Sequence, residues 1–274
     1  MVLSKKYIVL RPFFGEPKNS DFKIVEEELP DLQDDEFLAK AAYISVDPYQ
    51  RMKLGDKYPC DMIGGQIAKN SAYFGFTQIC QPKPGETVVV SGAAGAVGSH
   101  VGQIAKILGC RVIGFAGTDE KCKWLTNDLG FDAAANYKNV NIATFLRENA
   151  PNGVDCYFDN VGGEISSVVV SQMNLFGRVA TCGAISSYNE TESEKRKATI
   201  LQPSIVRNQL KIEGFLVNRF ADRTTEGIKQ NLQWVQEGKL KYREHIIDGF
   251  ESTADAFIGL FNGANTGKSL VRII

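Results

Sequence analysis

From Glu86 onward the chain alternates short apolar runs with amphipathic stretches. Residues 87–91 (TVVVS) precede a stretch in which Val97, Val101, Ile104, Ala105 and Leu108 share one helical face. The run RVIGFAG leads into TDEKCKWLTNDLG, where Trp124, Leu125 and Leu129 again fall on one side and Gly130 supplies a C-terminal stop. The alternation continues through DAAANY, the helical NVNIATFLRENA, the strand VDCYFDNVGG, the helical EISSVVVSQMNLFG and the strands RVATCGA and LKIEGFLV. Six strand-like runs separated by helices predict an α/β fold with a doubly wound parallel sheet.

The flanks carry a different pattern. KYIVLRPF, DFKIVEEEL and EFLAKAAYISVDPY are strand-like, charged at intervals and without intervening helices, as in an antiparallel or barrel-like lobe. Near the other end, TTEGIKQNLQWVQEGKL and TADAFIGLFNGA have helical spacing, and KSLVRII is a closing strand. The expected division is an outer lobe from residues 1–69 and 225–274 around an α/β unit at 70–224.

Composition narrows the chemistry. A net charge of −1 over 274 residues implies neither a nucleic acid nor an acidic membrane surface as partner. The six cysteines are scattered, without a C-x-x-C pair, and the chain has two histidines, His100 and His245, so no metal site is expected. Free thiols fit a reducing compartment. No apolar stretch reaches the roughly 18 residues of a membrane span, and the N-terminus lacks the apolar core of a signal peptide. A cytoplasmic protein is the expectation.

The candidate chemistry begins where the first α/β strand ends. Ala93, Gly95 and Gly98 occupy the three small positions of the dinucleotide fingerprint, with alanine in place of the first glycine, after a strand and opening a helix. Small residues there let the backbone approach a pyrophosphate, and free N–H groups at a helix start favour the anion. The second strand ends GFAGTDEK. Thr118 is a credible N-cap, with Asp119 and Glu120 well placed in the first turn, whereas Lys121 opposes the helix dipole and points to a bound anion such as a 2′-phosphate, the alternative being a solvated lysine. Asp119 keeps NAD open as the alternative.

Taken in order, SVDPYQRM, SAYFG, GETVVVSGAAGAVGSHVGQIAK, NYK, FDNVGGE, CGAISSYN and NTGKSLV resemble the zinc-independent medium-chain dehydrogenase/reductases, in their prostaglandin reductase branch. The resemblance runs over nearly the whole chain. It implies a Rossmann domain, a smaller GroES-like, mostly β lobe built from both termini, and NADPH as cofactor. By position, Ala94, Gly95, Ala96, Val97 and Gly98 would face the pyrophosphate, and Lys121 and Tyr137 the 2′-phosphate. Asn160 would lie along the cofactor. Cys182, Gly183, Ala184, Ile185, Ser186, Ser187 and Tyr188, then Phe215, Leu216 and Val217, would border the nicotinamide, with Asn265 closing over it. Tyr49 would enter the substrate cleft; the alternative for it is a packed aromatic beside Pro48. The implied reaction is hydride transfer to the β-carbon of an α,β-unsaturated aldehyde or ketone, in a homodimer joined near KIEGFLV. A quinone reductase and a non-catalytic NADPH-binding protein are the competing readings.

Two departures accompany the resemblance. Lys69 is joined directly to Asn70, where the family as a rule has a further stretch completing the outer lobe, so an internal deletion is expected. Arg207 stands where the family commonly has a tyrosine assigned to proton donation. Arginine stabilises an oxyanion without readily giving up a proton; alternatively Arg207 faces solvent.

Overall fold

The computed structural model describes residues 2–52, 60–61, 68–191 and 201–274. Residues 62–67, just before the Lys69–Asn70 junction, lie outside them. In chain order the strands are β1 (Leu3–Val9), β2 (Phe22–Glu28), β3 (Tyr43–Ser45), β4 (Cys60–Asp61), β5 (Thr87–Val90), β6 (Arg111–Ala116), β7 (Ala133–Asn136), β8 (Val154–Asp159), β9 (Met173–Thr181), β10 (Lys211–Gly214), β11 (Glu244–Asp248) and β12 (Lys268–Arg272). The helices are α1 (Ala68–Phe74), α2 (Gly98–Ile107), α3 (Asp119–Asn127), α4 (Ile142–Asn149), α5 (Gly163–Ser171), α6 (Gln202–Asn208), α7 (Thr224–Gln236) and α8 (Thr253–Phe261).

Strands β5 to β10 form one parallel sheet in the order β10-β9-β8-β5-β6-β7. This is the doubly wound Rossmann order, and it reverses between β5 and β8, where the carboxyl ends of the strands leave a crevice for a ligand. The continuous apolar runs follow from burial on both faces. Val88 and Val90 pack on one side with Ile104, Leu125 and Phe131, while Val89 packs on the other with Leu146 and Val169.

The outer lobe holds two small sheets among the described residues, β2-β1-β4 and β11-β12-β3. The second unites both termini, with β12 antiparallel to β3 and parallel to β11. Tyr7, Val9, Phe22, Val46, Phe257, Leu260 and Val271 form the core of this lobe.

Local differences from the sequence pattern have physical causes. The helix expected through NLFG stops at Ser171, and Met173 already pairs with Val154. The ladder shifts register between Val154 and Cys156, and Phe176 sits at φ 61. This irregular arm absorbs an apolar stretch with helical spacing into a strand. Helix α7 packs on the nucleotide-domain core through Trp234 and Val235. The chain passes the Lys69–Asn70 junction inside α1.

Candidate nucleotide-binding cleft

A cleft of about 1120 Å³ runs along the carboxyl ends of the sheet and under the outer lobe. Its floor is the turn from β5 into α2. Gly92 has φ +57, a left-handed conformation that an L side chain adopts only with strain. A Cβ on Gly98 would collide with the Gly92 carbonyl and reach within 2.8 Å of the Ala93 Cα, so glycine is required for the loop to close. At Gly95 a Cβ would meet only the Gly92 oxygen, at 3.3 Å, and Gly95 lines the cleft. The glycine making the tight turn is therefore Gly92; Ala93 is buried and donates its N–H to the Phe115 carbonyl.

Two buried groups hold this loop. The His100 ring bonds the Ala96 carbonyl through Nδ1 at 2.9 Å, while its Nε2 is buried without a partner. Burial, and then the charge of Lys69, pull its pKa down to about 4, so the ring is neutral and donates from Nδ1. Asp159, at the end of β8, accepts from Ser91 Oγ (2.9 Å), Tyr157 Oη (2.8 Å), the Val161 and Gly162 N–H groups (3.0 Å each) and Ser166 Oγ. Asn160 follows it and bonds Ser91 through both its backbone N–H and its side-chain amide. The two central strand ends are thereby locked together beside the loop.

At one end of the cleft stand Gly117, Thr118, Lys121, Tyr137 and Lys138. Thr118 caps α3 by accepting the Lys121 N–H. Lys121 Nζ donates to the Gly263 carbonyl at 2.6 Å, and burial followed by the nearby Lys138 lowers its pKa. Two cations side by side suit a dianionic phosphate. Asp119 does not line the cleft; its carboxylate accepts from Asn136 Nδ2 at 3.0 Å.

The other end is walled by Cys182, Gly183, Ile185, Ser186, Tyr188, Phe215, Leu216 and Val217. Burial, then Asp159, raises the Cys182 thiol to about 12, so it stays protonated. Of the expected set, Ala184 and Ser187 are absent from the wall. Ala184 packs over Gly162, and the exposed Ser187 hydroxyl turns back to the Ala184 carbonyl. From the outer lobe come Asp47, Pro48, Tyr49, Asn265 and Lys268. The Gly267 N–H donates to the Ala94 carbonyl at 2.7 Å, tying the loop that carries Asn265 to the floor. Arg207 corrects a second expectation: it is exposed in the last turn of α6 and takes no part in the cleft.

Pattern reading missed Gly92, Ser71, Lys138, Asp47 and Lys268, all of which line the cleft. For Gly92 the signal was present, since Gly92, Gly95 and Gly98 form a regular triplet. Among the described residues, no three His, Cys, Asp or Glu side chains gather as a metal site. Among them, too, no helix is long and apolar enough to cross a membrane.

The residues present fit a dinucleotide carrying a 2′-phosphate: an open glycine at the loop, a lysine pair from beyond the ends of β6 and β7, and an acid turned away. Fold and cleft define a two-lobed, NADP(H)-dependent oxidoreductase. Residues 96–237 match the zinc-binding dehydrogenase family and residues 5–69 the N-terminal domain of oxidoreductase. The chain is 41% identical to prostaglandin reductase 1 of Bos taurus over 340 aligned positions, covering 99% of this chain and 100% of that one. It is 30% identical to the NADPH-dependent curcumin reductase of Escherichia coli, with 98% and 97% covered. The crystal structure of CurA from Vibrio vulnificus with NADPH superposes with a TM-score of 0.90 at 30% identity, covering 99% of each chain. The chain belongs to the medium-chain dehydrogenase/reductase family, in its prostaglandin reductase branch.

Proposed function

We propose that the chain reduces the C=C bond of α,β-unsaturated aldehydes and ketones, of the 2-alkenal and 15-oxo-prostaglandin type. The observation that carries this reading is the continuity of the cleft, from the lysine pair to an apolar end walled by Phe215 and Val217 and faced by Tyr49. The names of the relatives support it. NADPH, when bound, supplies a hydride for the β-carbon. Lys121 and Lys138 would neutralise its 2′-phosphate, assisted by Tyr137, and the N–H groups of Ala94, Ala96, Val97 and Gly98 would receive the pyrophosphate, that of Gly95 being held by the Gly92 carbonyl. Asn160, the wall of Cys182, Gly183, Ile185, Ser186 and Tyr188, and Asn265 would fix the nicotinamide end, which is orientation rather than chemistry. Tyr49 offers its hydroxyl where charge develops on the carbonyl oxygen. The protonated Cys182 keeps an electrophilic substrate from being captured as a thioether.

We also read a homodimer along β10. That strand is the sheet edge, and Leu175, Phe176, Val206 and Ile212 are exposed. A cytoplasmic location fits the free thiols of Cys80, Cys110, Cys122, Cys156 and Cys182. An internal shortening after Lys69 is in keeping with an alignment of 340 positions against 274 residues.

The test is NADPH oxidation by the purified chain with trans-2-nonenal, with the product identified. Saturated aldehyde is the expected result. Turnover of quinones alone would make the chain a quinone reductase, and tight NADPH binding without turnover would make it a nucleotide-binding protein.

A further inference from the structure

The outer wall of the cleft holds a largely buried ion pair. Lys268 opens β12 and sends its Nζ to Asp47 Oδ1 at 2.6 Å and to the Val46 carbonyl at 2.9 Å. Both side chains are largely buried and both residues line the cleft. Asp47 is engaged on every side. Its Oδ2 accepts from Ser45 Oγ at 2.6 Å, its N–H donates to Gln50 Oε1 at 2.8 Å, and its carbonyl accepts the Gln50 N–H at 3.1 Å. These bonds close the turn Pro48–Met52, which carries Tyr49. The β3–β12 ladder ends beside this turn, with the Val46 N–H on the Ser269 carbonyl at 3.3 Å. Past that bond, the Lys268 side chain also ties the start of the Tyr49 turn to β12.

A pair of this kind is a poor device for stability. Desolvating two charges costs as much as their attraction returns, and apolar replacements are often neutral or better. Burial lowers the Lys268 pKa even against the pull of Asp47, so the site is not arranged to favour the charge. A buried charge pair that also closes a substrate cleft is better explained by placement.

We propose that Lys268, paired with Asp47, is a positioning residue that sets where Tyr49 meets the substrate carbonyl. Its ammonium is taken up by Asp47 and the Val46 carbonyl, so it acts through the turn that carries Tyr49. The inference rests on the enone-reductase reading above.

A double-mutant cycle between K268M and Y49F, followed with trans-2-nonenal and NADPH, tests it. K268M is expected to lower kcat about tenfold with KM changed less than about twofold, as for an interaction made in the transition state. Y49F is expected to do the same, and K268M/Y49F to be no slower than the slower single variant. NADPH affinity by fluorescence titration should stay within about twofold in all three, which a general loss of structure would not allow. Multiplying losses, or an unchanged kcat in K268M, would overturn the proposal while leaving the reductase reading standing. If K268M fails to hold NADPH, the same cycle with D47N, which keeps an acceptor for Lys268 and removes the charge, decides between the same two outcomes. Should the unsubstituted chain bind NADPH and leave the alkenal unreduced, the reductase reading falls and takes the proposal with it.

Discussion

The cleft has two walls, built on different principles. In the nucleotide wall, β5 is buried throughout and β6 and β8 nearly so, because helices cover both faces of the sheet. In the outer wall, β1 and β12 alternate between buried and open positions, and β2 is exposed over its last three residues. The first wall is held by close packing, which admits one arrangement and transmits strain. The second is located by a few polar ties: Gly267 to Ala94, Lys121 to Gly263, and Lys268 to Asp47. Cofactor geometry thus rests on close packing and the dense network at Asp159, whereas substrate geometry depends on a few separate hydrogen bonds.

A matched pair of substitutions breaks the comparison if it is wrong. Asp159 and Asp21 are both 5% exposed, one in each wall. Asp159 accepts from five donors, so an amide there turns an N–H₂ toward hydrogen-bond donors; D159N should cost about 4 kcal/mol, or roughly 10 °C in Tm. Asp21 accepts from the Arg11 side chain (2.8 Å) and the Lys18 N–H (2.9 Å), and Arg11 is mostly exposed. D21N should cost about 1 kcal/mol. Equal losses in thermal melts would show that the two walls are held alike.

His100 gives the nucleotide wall an acid sensitivity of its own. Its folded pKa of about 4 lies below the ordinary 6.5, so as pH falls the unfolded chain takes up the proton first. Stability is therefore intact above about pH 7, falls between about 6.5 and 4, and changes no further from this source below that. The full loss is about 3 kcal/mol. H100N keeps a donor for the Ala96 carbonyl and cannot titrate. Denaturant midpoints from pH 7 to 4.5 should fall more steeply in the unsubstituted chain, and parallel slopes would exclude His100 as the cause.

The same contrast accounts for what was legible in the sequence. Close packing leaves periodic signatures: the alternation from residue 87 onward foretold six strands and their parallel arrangement, and the loop from Ala94 to Gly98, marked by its small residues, lines the cleft. Polar ties between distant segments leave none. Nothing in KSLVRII marks Lys268 as the partner of Asp47, 221 positions away. Arg207 falls to the solvent-facing alternative because matching a family position fixes where a residue lies along the chain but not whether its helix reaches the cleft, and no residue of α6 lines it. Met173 and its neighbours were misread because a strand with a register shift can carry helical spacing.

Lys121 spans both walls, so its removal sharpens the comparison most finely. Its ammonium stands at the end of the cleft that we assign to the 2′-phosphate, and it also ties the outer-lobe loop at Gly263. Losing one charged hydrogen bond to a phosphate costs about 2 kcal/mol, roughly a 30-fold weakening. K121A should therefore raise the NADPH Kd about 30-fold. NADH lacks the phosphate but meets the same loop, so it reports the loop alone, and its Kd should stay within about twofold. Salt provides an independent check, because a partly exposed phosphate–lysine contact is screened. The preference of the unsubstituted chain for NADPH over NADH should narrow as ionic strength rises, and that of K121A should hardly move. Equal losses for both nucleotides would mean that Lys121 serves the loop rather than the phosphate, and that this end of the cleft is located by a tie, as the outer wall is.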